Sequence, residues 1–143
     1  MKKITVQQVL LIHQEMLDRF GGLTGIRDEK LLDSAMEAPF QTFDGADLFP
    51  ATIEKIARMA YGIVKNHPFF DGNKRTGTAL IPLLLKLNDI EAWFSDNELI
   101  QIGTELANGT MDTDKLTAII KGKVHFTESC IKLFERVLRG NGN

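Results

Sequence analysis

A chain of 143 residues, 43% apolar and 25% charged, holds enough material for one core, so a single domain over 1–143 is expected. A formal charge of −2 gives no basic field for nucleic acid, and the lone Cys130 excludes an internal disulfide and a cysteine-built zinc site. Thr5, Gln7 and Gln8 break the apolar run that a signal peptide needs after Lys2-Lys3, and the longest apolar stretch, 79–85, is interrupted by Pro82 and too short to span a bilayer. The expectation is a soluble cytoplasmic protein that engages neither a membrane nor, directly, a nucleic acid.

In chain order, Thr5 and Gln8 make a capping-box pattern, and Val9, Ile12, Met16, Leu17 and Phe20 follow at helical spacing until Gly21-Gly22. Asp28 suits the cap of a second helix that carries Leu31, Leu32, Ala35 and Met36 and ends at Pro39. Residues 39–50 lack a helical period and place Phe40, Phe43 and Phe49 among turn formers, which reads as a loop or short hairpin with the rings in the core. Pro50 opens a helix to Asn66 with Ile53, Ile56, Ala57, Ala60, Ile63 and Val64 inward. After a turn, another helix runs from about Gly72 to Asn88. Ser95 with Glu98 repeats the capping box for a helix ending near Asn108-Gly109. Thr113 opens a short helix to Ile120, and Thr127 opens the last, with Ile131, Phe134, Val137 and Leu138 on one face. Only 91–94 and parts of 39–50 have strand character, and 140–143 should fray. The fold class is therefore all-α, a helical bundle with at most one small β-hairpin before the third helix, the one that Pro50 opens.

The turn between the two central helices carries the chemistry. It reads His67-Pro68-Phe69-Phe70-Asp71-Gly72-Asn73-Lys74-Arg75-Thr76-Gly77. Pro68 disfavours helical geometry at His67, and a new helix starts within the string. The free N–H groups and positive dipole end of that helix favour an anion. Lys74 and Arg75 oppose the dipole unless an anion is bound, and the fork of Arg75 suits phosphate. Asp71 offers an oxygen ligand of the kind Mg²⁺ takes, and also a cap. His67 is placed to take a proton from a hydroxyl. Gly72 supplies a positive φ and a close backbone approach, Asn73 an amide, and Phe69 a core anchor for the loop. The chemistry indicated is transfer of a phosphorus-containing group from a nucleotide. A P-loop is excluded because Asn73 precedes Lys74 and Arg75 follows it, where Gly and Ser/Thr are required. A His-Asp phosphohydrolase is excluded because no adjacent His-Asp pair exists. His13 and His125 read as ordinary helix and cap-region residues, and Arg27 and Asp28 as a salt bridge or cap.

This string resembles the signature of the Fic/Doc family, HxFx[DE]GNGRxxR in its Fic branch, with His67, Phe69, Asp71, Gly72, Asn73 and Arg75 in register. Lys74 stands at the second glycine of that branch and Thr78 at its second arginine. Both departures are features of the Doc (death-on-curing) branch, whose motif ends in NKR. Residues 21–35, from Gly21-Gly22-Leu23-Thr24-Gly25 to Ser34-Ala35, resemble the segment these toxins carry near the N-terminus. The likeness covers about 4–120, and 121–143 is a C-terminal helix with no assigned role.

The resemblance implies the toxin of a type II toxin–antitoxin system. Such a toxin transfers a phosphoryl group from ATP or another nucleoside triphosphate, with Mg²⁺, to a hydroxyl of a translation protein, elongation factor Tu in the Doc branch. It implies His67 as catalytic base, Asp71 at the metal or phosphate, and Gly72, Asn73, Lys74 and Arg75 at the phosphates. A flap before the pre-motif helix would dock the target by main-chain pairing. The inhibitory [ST]xxxE[GN] helix of many Fic proteins is absent, since no Glu here precedes Gly or Asn. Restraint would fall to an antitoxin whose disordered segment folds on binding. AMP transfer to a target hydroxyl and a degenerate, non-catalytic binding module are the alternatives.

Overall fold

The computed structural model describes residues 1–125 and 128–140. Among them run α1 (Val6–Phe20), α2 (Glu29–Glu37), a 3-10 turn (Ala38–Phe40), β1 (Thr42–Phe43), β2 (Ala46–Asp47), α3 (Thr52–Asn66), α4 (Asn73–Leu87), α5 (Asp96–Asn108), α6 (Thr113–Lys123) and α7 (Glu128–Gly140). The fold is all-α with one two-stranded hairpin, as the sequence indicates.

The caps follow the local chemistry. Thr5 and Ser95 each close a reciprocal box with Gln8 and Glu98, and the Asp28 side chain accepts from Leu31 N–H. The cap of α6 is Asp112 and not Thr113, because its carboxylate reaches Lys115 N–H, and the helix runs on to Lys123. The expected cap at Thr127 and the fraying of 141–143 lie outside the described residues. Residues 91–94 form no strand; Ala92 makes only a single bridge to Val124.

Helix α3 is the hub, packed against α2, α4, α5 and α6. Ile56, Ala57, Met59, Ala60, Ile63 and Val64 are all buried, so its apolar surface exceeds one stripe. Two glycines permit the close crossings. A Cβ on Gly77 would lie 2.6 Å from Val64 Cγ2, and one on Gly62 would lie 3.0 Å from Ala35 Cβ. Phe69, Leu80, Ile81, Leu84, Leu106 and Leu116 complete the fully buried centre. The turn between α3 and α4 is therefore anchored in the densest part of the molecule.

Strands β1 and β2 pair antiparallel, Thr42 with Asp47 and Phe43 with Ala46. Asp44 and Gly45 have φ of 50° and 79°, the two positive values that a twist-matched two-residue hairpin loop needs. Lys55, 7% exposed, ties the hairpin to α3 through an ion pair with Asp47 (3.2 Å) and a hydrogen bond to the Phe49 carbonyl. Phe43 projects from the hairpin at 74% exposure and is not a core residue, because a two-stranded ribbon has no second layer to cover it. Helix α7 also leaves Ile131, Leu133, Phe134, Val137 and Leu138 exposed. No helix among the described residues is long and apolar enough to cross a membrane.

Candidate active site

His67 ends α3 in the left-handed conformation, φ 53° and ψ 53°. Pro68 removes the right-handed alternative by steric clash, and the chain turns sharply there. The turn is held from outside by residues 25–28. Arg27 N–H and Asp28 N–H both donate to the Pro68 carbonyl (2.6 and 3.1 Å), and Phe70 N–H donates to Gly25 O at 3.4 Å. The Arg27 guanidinium donates to the carbonyls of His67 (2.7 Å) and Asn66 (3.0 Å), the acceptors that the end of α3 leaves without N–H partners. Arg27 is thus neither a salt bridge nor a cap in the sense expected from sequence; it clamps two carbonyls beside the histidine. The imidazole of His67 itself is exposed.

Beyond Pro68 the loop folds onto the core. Phe69 is fully buried, and its ring stacks on that of His13 at 3.7 Å between centroids and 10° between planes. The Asn73 side chain closes the loop in both directions, accepting from Phe69 N–H at 2.9 Å and donating to Phe69 O at 3.0 Å. At 4% exposure that amide is committed to the loop, so its backbone N–H is the group left to meet a ligand. Gly72 is left-handed, φ 81°, and caps α4 with no side chain. A Cβ there would meet His13 Cδ2 at 3.3 Å and Leu17 Cδ2 at 3.4 Å.

Asp71 is half-buried. Its Oδ2 accepts from Leu23 N–H at 2.6 Å, which ties the Gly21-Gly22 loop to the motif and leaves Oδ1 to a ligand. Among the described residues no cluster of three metal-ligating side chains exists. A lone carboxylate beside a phosphate site still fits Mg²⁺, which commonly takes one or two carboxylates and completes its shell with phosphate oxygens and water.

Among the described residues, the backbone N–H groups of Gly72, Asn73, Lys74 and Arg75 donate to nothing. This is an uncapped helix start with its orphan donors together, and Lys74 and Arg75 are both exposed beside it. The Arg75 guanidinium lies over the Phe20 ring at 3.6 Å, an arrangement that steadies the cation while its in-plane N–H groups stay free. Thr78 takes no part. It is 6% exposed, its hydroxyl bonds back to Lys74 O (2.9 Å) and Arg75 O (3.3 Å), and its methyl lies 3.2 Å from where a Cβ on Gly103 would stand. The side chain at that position is buried and spends its polar atom on its own helix.

His13 is the residue that sequence reasoning passed over. It is 5% exposed, and its Nε2 lies 2.8 Å from the Asp71 carbonyl. The available signal was its place on the stripe Val9, His13, Leu17, every member of which is buried.

Known sequences resemble this chain over the residues that build the turn. The sequence pattern of the Fic/DOC family matches residues 3–85. A curated relative named Toxin Doc, from Mycolicibacterium smegmatis (strain ATCC 700084 / mc(2)155), is 33% identical over 105 residues, 72% of this chain and 81% of the relative. Another, named Protein kinase doc, from Escherichia phage P1, is 24% identical over 124 residues, 85% of this chain and 94% of the relative. The matched span contains both the clamp at 25–28 and the whole motif turn, and the chain belongs to the Fic/DOC family, in its Doc branch.

Proposed function

We propose that this chain is the toxin of a type II toxin–antitoxin pair and acts as a kinase-like phosphotransferase on a protein hydroxyl. The observation that carries this reading is the uncapped start of α4, four unused amides with two cations beside them, one turn away from an exposed histidine. The names Toxin Doc and Protein kinase doc borne by its relatives support the toxin and kinase parts. The donor is ATP or another nucleoside triphosphate, and the target is a translation protein, for which the family resemblance points to elongation factor Tu. The setting is the cytoplasm, where an antitoxin segment that orders on binding would restrain the enzyme.

In this mechanism the amides of residues 72–75 and the Arg75 fork bind the phosphates and hold them still. Asp71 would hold Mg²⁺, which supplies charge neutralisation on the phosphate oxygens. His67 accepts the proton of the target hydroxyl as that oxygen bonds to the γ-phosphorus. The bond from the γ-phosphorus to the bridging oxygen breaks, and the nucleoside diphosphate leaves. Two features favour this outcome over AMP transfer. The side chain of Lys74 occupies the place where a glycine would let α- and β-phosphates nest on bare backbone, and the buried Thr78 offers the nucleotide no second arginine.

The test is the intact mass of elongation factor Tu after incubation with the chain, ATP and Mg²⁺. One phosphoryl group should be gained, and His67→Ala should slow the gain by about 10²–10⁴ while nucleotide binding persists. The same substitution should relieve growth arrest when the chain is expressed alone in bacteria. An adenylyl mass, or arrest that persists in His67→Ala, would overturn the reading.

A further inference from the structure

We infer that His13 is a positioning residue for the motif site, setting the direction of the peptide between Asp71 and Gly72. The inference rests on the phosphotransferase reading of that site.

The starting point is a cost. An imidazole on the buried stripe Val9, His13, Leu17 is expensive compared with an aliphatic side chain unless its polar atoms are used. Here one of them is used by a single partner, the Asp71 carbonyl at 2.8 Å from Nε2. A carbonyl only accepts, so Nε2 carries the proton, in the neutral and the cationic ring alike. The face of the same ring lies flat on Phe69, and its Cδ2–Nε2 edge sits against the position a Gly72 side chain would occupy. Three features of the loop, the Phe69 ring, the Asp71 carbonyl and the bare Gly72, are therefore shaped against one side chain from another helix.

The peptide between Asp71 and Gly72 is trans and planar, since the described chain has no cis bond. Its C=O and N–H point in opposite directions. Drawing the carbonyl inward to His13 turns the Gly72 N–H outward, away from α1. That N–H is the first of the four unused donors at the α4 start. A side chain on one helix thus sets the aim of a phosphate-binding amide on another, and it does so through the residue whose carboxylate lies beside that amide. A flipped peptide would leave the nucleotide bound by the remaining amides and by Arg75 but poorly aligned for attack. The loss should appear more in kcat than in KM.

Two substitutions separate the hydrogen bond from the packing. His13→Phe keeps the stack on Phe69 and removes the donor; His13→Gln keeps a donor near Nε2 and removes the stack. Both are compared with the parent and His67→Ala in phosphoryl transfer to elongation factor Tu, in thermal unfolding, and in amide hydrogen exchange across residues 69–75. In His13→Phe, kcat should fall about 10- to 100-fold with little change in KM for ATP. Exchange of the loop amides should accelerate while Tm stays close to that of the parent. His13→Gln should recover transfer to within a few-fold of the parent. Full activity in His13→Phe, or a His13→Gln variant no better than His13→Phe, would make His13 a packing residue and overturn the inference. A parent as inert as His67→Ala would sink the phosphotransferase reading, and the exchange comparison then decides separately. Unchanged loop exchange in His13→Phe overturns the positioning role, and faster exchange upholds it.

Discussion

Arg27 holds His67 by its backbone: Nε donates to the His67 carbonyl at 2.7 Å while Nη2 takes the Asn66 carbonyl at 3.0 Å. The histidine is left-handed, φ 53°, a conformation that costs a non-glycine residue about 1–2 kcal/mol. The clamp offsets that strain and leaves the imidazole exposed.

Two measurements probe this arrangement. Arg27→Lys loses the fork that spans both carbonyls and should lower stability by about 1–2 kcal/mol in urea unfolding, with slower transfer. His67→Gly should be more stable than His67→Ala by about 1 kcal/mol, because glycine adopts the left-handed C-cap without a Cβ penalty. Equal stabilities of those two variants would mean that the fold does not impose the geometry.

A change of branch should be reachable by substitution at Lys74 and not at Thr78, whose side chain is buried. Lys74→Gly should weaken phosphoryl transfer and permit measurable AMP transfer, read as the larger mass gain on the target. Its helix-start stability cost should be about 1 kcal/mol. Thr78→Arg should simply destabilise the protein, by about 2–4 kcal/mol, because it forces a charge into the contact with Gly103 and breaks the bonds to Lys74 O and Arg75 O. A stable Thr78→Arg variant that transfers AMP would refute this division, as would a Lys74→Gly variant with full kinase activity.

Glu98 supplies a pH signature remote from the site. Its carboxyl is held below the usual glutamate range, first by the hydrogen bond from Lys123 and then by the Ser95 box and the lysine charge, against a partial desolvation. A depressed folded-state pKa means that the carboxylate stabilises the fold above the ordinary glutamate value, with the contribution lost as pH falls through the lower folded value. The Tm difference between parent and Glu98→Gln should therefore be present at neutral pH and close on acidification across that window. A difference independent of pH would show that the box works through shape alone.

The sequence by itself determined the helices, their main stops and the list of reactive residues at the motif. These depend on neighbours three or four positions apart: Thr5 with Gln8, Ser95 with Glu98, Pro68 against His67. Where such local signals were weak, boundaries moved, as at Asp112 and Lys123. Tertiary structure alone decided what each motif residue has left to offer. Asn73 gives its side chain to Phe69, Asp71 gives one oxygen to Leu23, Thr78 turns inward against Gly103, and His13 reaches the loop across 58 positions of sequence. Periodicity can place His13 on a buried stripe, but it carries no information about which carbonyl lies opposite. That pairing arises only when α1 packs against α4, a contact between segments far apart in the chain.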